Sequence, residues 1–307
     1  LYLTIILTRQ KKTHIRRQAN RHYSILMTKK FFLSLTILIL SVTGALAQGR
    51  HHHRHGCRDY CRTEEQPEYL THRPITSVYG LEIGGANINC NYLSPLPYAG
   101  SGVGVYGAWG KRMKQHPENL VMAFTAGLNM TSTKNPSKSA EMMSVSARFG
   151  WGPSWLHEFG NGWSMTLGGA LDLSGGALYL PINGNNPVQA MVYAGIDLTA
   201  GLAWKTHLGR LPVTFADRAS LPTLGAFFCP QYGQSYYEIY LGERSGLAHF
   251  GWWGNCFGIN NHLTMSLHFR NRKSLVLGYR LYVRNNRANH LTNQYVTNAF
   301  TVAIQIN

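Results

Sequence analysis

Apolar and polar residues alternate along segment after segment of this chain, and this period of two limits what the chain can fold into. From Leu120 to Met130 every second residue is apolar, and the residues between are mostly small or polar. Successive side chains of a β-strand point to opposite faces, so the pattern is typical of a strand with one apolar face. The pattern returns in the segments 143–151, 163–173, 188–204, 263–269, 275–283 and 296–306.

Three weaker segments, 78–91, 102–111 and 211–220, bring the predicted number of strands to ten, with twelve as the alternative. No stretch after Val42 approaches the roughly 20 apolar residues that a spanning helix needs. If the chain lies in a membrane, it must do so as a barrel. The predicted fold is all-β, a closed antiparallel transmembrane β-barrel with one long aromatic outer loop.

A soluble β-sandwich would alternate too, and it is the alternative fold. The polar face of a sandwich meets water and is usually rich in Lys, Glu and Thr. Here that face consists of Gly, Ser, Thr and Ala with single charges, which suits the crowded lumen of a narrow barrel. The predicted lumen charges are Arg148, Asp172, Asp197, Arg218, Arg270 and Arg280.

The lengths of the connections favour the barrel. Outer-membrane barrels have short periplasmic turns and longer outer loops. Counted from the first strand, the periplasmic turns are predicted at 111–118, 153–161, 205–210 and 271–273. The outer connections are predicted at 92–100, 131–138, 174–187, 221–260 and 284–293, and the longest of all falls on the outer side.

Four tryptophans collect at one predicted edge of the sheet. Trp109, Trp151 and Trp204 are placed at the ends of strands two, four and six, and Trp163 begins strand five. All four share the parity of the apolar face. An aromatic belt at a lipid interface would produce this arrangement.

Residues 27–47 have the layout of a secretory signal. Lys29 and Lys30 precede the apolar run Phe31–Val42, and Ala45-Leu46-Ala47 supplies a cleavage site after Ala47. Residues 1–26 are predicted to be an upstream leader assigned in error, with Met27 as the start; a genuine basic leader is the alternative. We expect a flexible periplasmic tail at 48–76 and the barrel at 77–307.

The basic excess is partly a property of the signal and leader. Residues 1–47 hold eight of the 29 Lys and Arg and none of the 13 Asp and Glu, so a formal +16 falls to +8. That charge suits anionic lipid headgroups or phosphates. For an outer-membrane location we expect contact with outer-membrane lipid and lipopolysaccharide, an envelope or extracellular ligand, and no nucleic acid.

Three short segments, YLSPL at 92–96, NGNNPVQA at 183–190 and GQSYYEI at 233–239, resemble those of an uncharacterised family of exported proteins from Bacteroidales-type Gram-negative bacteria. The resemblance covers roughly Val78 to the C-terminus. It implies an outer-membrane barrel, and it brings no assigned activity or catalytic residue.

The predicted tail concentrates groups that can bind metal, namely His51, His52, His53, His55, Cys57 and Cys61. Imidazole and thiolate are good ligands for zinc, copper or nickel. The interleaved Arg50, Arg54 and Arg58 repel a cation, so a solvated tail is the favoured interpretation, and no cofactor is expected.

An exported chain can oxidise its five cysteines. Cys57 with Cys61, and Cys229 with Cys256, are the candidate bridges, which leaves Cys90 unpaired. The alternative is that Cys229 and Cys256 are simply buried thiols.

The long aromatic loop at 221–260 is the predicted functional region. It could form a lid or a ligand surface, or pack down to plug the barrel. The ligand-binding candidates are Tyr236, Tyr237, Glu238, Trp252 and Trp253.

Three functions remain open from the sequence. The first is a structural or binding barrel acting through its outer loops, and the second is a narrow transport barrel for a small or lipophilic solute. The third is a lipid-modifying enzyme. The segment HLTN at 290–293 only partly matches the His-x-Ser-Asn pattern of such enzymes, because Thr stands in place of Ser. No catalytic residue is assigned.

Overall fold

The computed structural model describes residues 75–113, 116, 118–184, 186–269 and 273–306. They lie in one compact unit, Arg62–Asn307. The predicted leader, signal and tail fall outside the described residues, apart from Ile75 and Thr76. Among the residues described, no helix is long and apolar enough to cross a bilayer.

The described residues form eleven strands and one short helix, α1. In chain order they are β1 (Ile75–Cys90), β2 (Tyr98–Arg112), β3 (Leu120–Lys134), β4 (Glu141–Gly160), β5 (Trp163–Tyr179), β6 (Val188–Leu208), β7 (Leu211–Phe228), α1 (Tyr236–Tyr240), β8 (Ala248–Trp252), β9 (Cys256–His268), β10 (Lys273–Ala288) and β11 (Leu291–Ile306).

Ten of the strands close into one antiparallel barrel. Strands β1 to β7 pair in sequence order, β7 pairs with β9, and β9, β10 and β11 continue the sheet. The sheet closes where β11 pairs with β1, from Ser77 with Ile306 to Cys90 with Asn293. The predicted count of ten is confirmed. The short β8 is an addition that pairs with the last residues of β7.

The barrel is apolar outside and polar inside. On neighbouring strands Leu81, Ile83 and Phe300 point outward and are 66%, 63% and 69% exposed, whereas Glu82 and Thr301 between them point inward and are 3% and 1% exposed. A sandwich would bury its leucines and expose its polar face, so the soluble alternative is wrong. The exposed apolar face has the character of a lipid-facing wall.

A polar pair lies on the outward face. Asp217 pairs in register with the outward Leu263, and Asn261 Nδ2 donates a hydrogen bond to Asp217 Oδ1 at 2.6 Å. Polar groups on a lipid-facing wall are costly unless they are paired, and here each satisfies the other.

The connections at the end that holds Ile75 and Ile306 are short, as predicted. Strand β4 extends to Gly160, so most of the predicted turn at 153–161 is strand. The predicted outer connection at 284–293 is wrong, because β10 and β11 are joined by Asn289 and His290 alone. Both have positive φ, 51° and 62°, as in the type I′ turns that suit twisted hairpins.

Aromatic rings cluster near this same end. Trp109 contacts Tyr79 and Phe124, with ring centroids 5.8 and 5.6 Å apart, and Trp163 stacks on Trp204 at 5.5 Å. Trp151 pairs in register with Phe124, although it lies within β4 rather than at its end. The predicted tryptophan cluster at one rim is therefore present.

Candidate functional site

A buried ion cluster crosses the lumen at Glu82. Its carboxylate lies 2.9 Å from Arg280 and 3.6 Å from Arg148. Arg280 also donates to His262 Nδ1 at 3.2 Å, and His262 Nε2 lies 3.0 Å from Thr301 Oγ1. An arginine can only donate, so Nδ1 is the acceptor and the imidazole proton lies on Nε2. The cluster joins β1, β4, β9, β10 and β11.

A second set of charges lies toward the outer end. Arg284 Nη2 donates to Asp172 Oδ2 at 2.8 Å, and its guanidinium stacks over the ring of Tyr193 at 3.8 Å. Asp197 accepts a hydrogen bond from Ser220 at 2.6 Å. These contacts hold charges of both signs in the narrow lumen, as the small polar face of the strands predicts.

The structure brings most of the predicted lumen charges together. Arg148, Asp172, Asp197 and Arg280 take part in the two clusters just described. Arg218 pairs in register with the inward His262, and it is exposed on the inside of the barrel. Arg270 lies outside the described residues.

Sequence reasoning missed Glu82, His262 and Arg284. Glu82 stands between the outward Leu81 and Ile83, and Arg284 follows Arg280 and Tyr282 at every second position. Parity alone could have found both. The sequence prediction places Arg284 in an outer connection that the structure does not contain.

An apolar cluster fills the outer end of the lumen. Its buried members are Ile88, Cys90, Leu93, Tyr98, Met142, Leu178, Leu180, Tyr282 and Tyr295. Leu93 comes from the β1–β2 connection, which therefore folds inward rather than away from the barrel. Met142 and Leu178 are fully buried. The cluster acts as a plug, which we call the outer plug.

Hydrogen bonds tie the outer connections to one another above the outer plug. Tyr92 Oη donates to the carbonyl of Gln234 at 2.6 Å, and Asn183 Nδ2 donates to the carbonyl of Leu93 at 2.6 Å. Burial raises the pKa of Tyr92 to about 12, so the phenol keeps the proton that it donates. Three connections thus form one continuous cover.

Tyr236 fixes the long loop and is not free to receive a ligand. Its hydroxyl accepts a hydrogen bond from the backbone N–H of Ala190 at 2.7 Å. Its ring contacts Tyr92 and Phe228, with centroids 6.3 and 6.4 Å away. Burial raises the pKa of Tyr236. Its position in the structure is that of an anchor.

Glu238 is likewise occupied, as a helix cap. Its carboxylate accepts hydrogen bonds from the backbone N–H and hydroxyl of Ser235 at 2.6 and 3.0 Å, and Ser235 Oγ accepts from Glu238 N at 3.2 Å. This is the reciprocal capping box of a helix start. The hydrogen bonds from Ser235 lower the pKa of Glu238.

The other ligand-binding candidates are exposed, one on α1 and two at the end of β8. Tyr237 is 68% exposed on α1. Trp252 pairs in register with the outward Leu224 and continues the barrel wall. Trp253 is 60% exposed, while its indole N–H donates to the carbonyl of Pro222.

The described cysteines are buried free thiols, so the predicted Cys229–Cys256 bridge is wrong. Cys256 Sγ donates to Asn286 Oδ1 at 3.1 Å, and Cys229 Sγ lies 3.6 Å from the carbonyl of Pro230. Each thiol thus has its own acceptor. Burial raises the pKa of Cys229 to about 11, which keeps it protonated at neutral pH.

The described part of the chain offers no metal site, and it places the partial catalytic pattern on a turn. It contains no group of three or more His, Cys, Asp or Glu side chains able to hold a metal, and the metal-binding candidates at 51–61 lie outside it. His290 is exposed in the β10–β11 turn, next to the buried Leu291. The partial His-x-Ser-Asn pattern therefore lies on a turn between two strands.

A cavity lies in the outer half of the lumen, beside the outer plug. It is narrow and partly open to solvent. Arg148 and Arg284 line one part, and Met191 and Phe228 line another. Sequence reasoning did not find this cavity, because its residues come from six different strands.

Comparison with known proteins gives one family. A family model described as "Protein of unknown function (DUF3316)" matches residues 32–306. Among proteins of curated function, none matches the sequence.

Several solved structures are similar to the barrel. The outer membrane protease OmpT from Escherichia coli is 7% identical with a TM-score of 0.43, and the match covers 79% of this chain and 99% of that one. The transport unit of the autotransporter AIDA-I from Escherichia coli is 9% identical with a TM-score of 0.42, covering 81% and 93%. Neisserial surface protein A is 11% identical with a TM-score of 0.33, covering 75% and 96%.

The family match spans every strand of the barrel, and it agrees with the predicted resemblance to a family without an assigned activity. The Bacteroidales origin stays a prediction. The chain belongs to the family described as Protein of unknown function (DUF3316).

Proposed function

We propose that this protein is an outer-membrane β-barrel that does not conduct solutes and that binds an envelope glycolipid through its folded outer loop. One observation carries the proposal. The segment 229–247 is held in place by the hydrogen bonds from Tyr92 to Gln234 and from Ala190 to Tyr236, and it turns a group of aromatic side chains toward the outside.

The outer-membrane location rests on the wall of the barrel. A closed sheet leaves no free edge, so all its backbone groups can be satisfied within lipid. The outward face is apolar, aromatic rings gather at the end that holds Ile75 and Ile306, and the longest connection lies at the other end, as in outer-membrane barrels. The predicted export signal at 27–47 supports the same location.

The absence of conduction follows from the filled lumen. Ten strands enclose little space once side chains occupy the interior. Here the outer plug fills one end, and the Glu82 cluster spans the middle. A permanent aqueous path would have to pass both, so we expect no ion flow.

The binding surface consists of exposed side chains on and around α1. Tyr232, Tyr237, Tyr240 and Leu241 are 78%, 68%, 79% and 65% exposed. An exposed apolar group of this kind usually marks an interaction site. Tyrosine suits sugar and ring surfaces because it offers a rigid flat face together with a hydroxyl.

The position of the surface favours a ligand from the same leaflet. Phe250 and Trp252 lie on the outward wall, in register with Ala226 and Leu224. The exposed rings of β8 thus belong to the lipid-facing wall, and those of α1 belong to the loop at the outer end of the barrel. Lipopolysaccharide, whose sugars stand directly above the acyl chains, presents the matching succession of apolar and sugar groups.

Binding to purified lipopolysaccharide tests this proposal. The folded protein in detergent should bind it, and the double variant Tyr237→Ala/Tyr240→Ala should bind at least several-fold more weakly. Phe159→Ala changes an exposed aromatic residue at the opposite end of the barrel and should leave binding unchanged. Equal binding by all three proteins would contradict the proposal.

Planar bilayers test the filled lumen. The wild-type protein should give no conductance steps under conditions in which a wide porin does. Regular steps would favour the narrow transport barrel instead. An altered acyl pattern in the outer-membrane lipids of a deletion strain would favour the lipid-modifying enzyme.

A further inference from the structure

Arg218 is a lumen arginine that has no partner among the described residues. It points inward from β7, in register with His262 of β9, and it is exposed on the inside of the barrel. No carboxylate of the described residues forms an ion pair with it, and none lies close enough to influence its charge. A charge inside a barrel is costly without a counterion, so this guanidinium is suited to an anion from outside the protein.

The charges next to Arg218 add to its positive charge. Arg148 and Arg280 share the single carboxylate of Glu82. Both of these arginines and Arg218 lie within electrostatic range of His262. Three guanidiniums thus surround one carboxylate, and the two positive charges left over favour a dianion over a monoanion.

The other two lumen carboxylates of the described strands are already engaged. Asp172 accepts a hydrogen bond from Arg284, and Asp197 accepts one from Ser220. Neither forms an ion pair with Arg218. The excess positive charge around His262 is therefore not offset from the outer half of the lumen.

A glycine places a free hydroxyl beside Arg218. Gly201 of β6 lies in register between Thr166 of β5 and Arg218 of β7. A Cβ at Gly201 would lie 2.5 Å from Thr166 Oγ1 and 3.4 Å from Arg218 Cγ, so the two side chains approach each other over the glycine. The Thr166 hydroxyl has no hydrogen-bond partner in the described structure. A guanidinium and a hydroxyl are donors that commonly bind phosphate oxygens.

Small residues connect this site to the end of the barrel with the short turns. One inward position nearer that end, Ala216, Ala203 and Ser164 stand side by side on β7, β6 and β5. Lys205 follows at the next inward position of β6 and is exposed. A lysine at the mouth attracts anions from solution. The outer plug closes the other end, and the closed wall separates the site from lipid headgroups, so the anion must be soluble in water.

We propose that Arg218 and Thr166 bind the phosphate group of a small water-soluble phosphate inside the barrel. A phosphate monoester carries nearly two negative charges at neutral pH, which matches the excess charge around His262. The phosphate enters from the end with the short turns, where Lys205 stands. The site is separate from the aromatic surface of the outer loop.

Isothermal titration calorimetry on the folded full chain in a non-ionic detergent tests this site. Inorganic phosphate should bind saturably at one site per chain, and acetate should bind at least about tenfold more weakly at the same ionic strength, since a charge-assisted hydrogen bond changes affinity by that factor or more. Glycerol 3-phosphate is the second probe. Tighter binding of this ester would identify an organic phosphate as the ligand, tighter binding of inorganic phosphate would identify the free ion, and both results support a phosphate site.

Variants assign the binding to Arg218 and Thr166. Arg218→Gln should weaken phosphate binding by about tenfold or more. Thr166→Val keeps every charge and the shape of the side chain, and it should weaken binding several-fold. Arg244→Gln removes an exposed arginine of the outer loop and is the control matched in charge, with unchanged affinity expected. Heat-dependent gel mobility confirms that each variant is a closed barrel.

Three results would overturn the proposal. A wild-type chain without saturable phosphate binding would show that water alone solvates Arg218. Equal affinity of the wild type and Arg218→Gln would place the phosphate elsewhere on the protein. Equal binding of acetate and phosphate would make the lumen a general anion site without a phosphate preference.

Discussion

Replacement of Glu82 by Gln is the most informative perturbation of the barrel. The Glu82 side chain is 2% exposed and faces Arg280 at 2.9 Å and Arg148 at 3.6 Å, whose side chains are 13% and 16% exposed. The amide keeps the shape and removes the charge, so two guanidiniums lose their shared counterion.

The size of the effect follows from the burial of the cluster. Removal of one partner from a buried ion pair costs about 3–5 kcal/mol, because the other charge is left uncompensated. The two arginines retain a little contact with lumen water, so we expect the lower part of that range, about 3 kcal/mol. This corresponds to more than a hundredfold change in the ratio of folded to unfolded protein.

Urea unfolding in phospholipid vesicles measures this change, with tryptophan fluorescence and gel mobility as two independent readouts. Glu158→Gln is the matched control, because Glu158 pairs with Arg112 at 3.3 Å and its side chain is 58% exposed. An exposed pair is worth about 0–1 kcal/mol. If the two variants were destabilised equally, the reasoning about burial would be refuted.

Three further changes test other parts of the molecule. Gly84→Ala would place a Cβ 1.9 Å from a backbone carbonyl of β11 and should cost about 1–3 kcal/mol in urea unfolding, whereas Gly110→Ala, with nothing within 4 Å, should be nearly neutral. Tyr236→Phe leaves a backbone N–H of β6 without its acceptor and should speed proteolysis of the 229–247 segment in intact cells, while Tyr237→Phe should not. The pKa of Glu238 is lowered from 4.5, so the ionised carboxylate is the form that caps α1. Protection of the α1 amides from hydrogen exchange should be full above pH 4.5 and lost as the pH falls through the lowered pKa. The variant Glu238→Gln should show no such pH-dependent step.

The barrel itself could be predicted from the sequence, because alternate residues of each strand face lipid or the lumen and each position shows its environment in its residue type. Most outward residues are apolar and most inward residues of the strands are small or paired, so parity predicts ten strands and the correct face for Leu120 and Trp204. Sequence reasoning failed at Asn289–His290, because Asn285 and Arg287 interrupt the outward apolar pattern after Val283 and make this end of β10 resemble a loop.

The cover of the barrel could not be predicted in the same way. Its contacts join residues far apart in the chain, such as Tyr92 and Gln234, which are 142 positions apart. Composition shows that the long loop is aromatic, but it does not show which rings turn inward. Tyr236 is an anchor and the adjacent Tyr237 is exposed, although both residues are tyrosines.

The pairing of β1 with β11 has a consequence for assembly. Every other wall contact of the barrel joins strands that are neighbours, or nearly so, along the chain, whereas this seam brings Ser77 to Ile306. Long-range pairing of this kind is slow, because the entropy of the intervening chain is lost before the contact forms. Until the seam forms, both strands offer unpaired edges that can recruit another chain. The seam is therefore the step at which an assembly machine or a nascent neighbour can act, and the interval before it forms is when this polypeptide is most prone to aggregate.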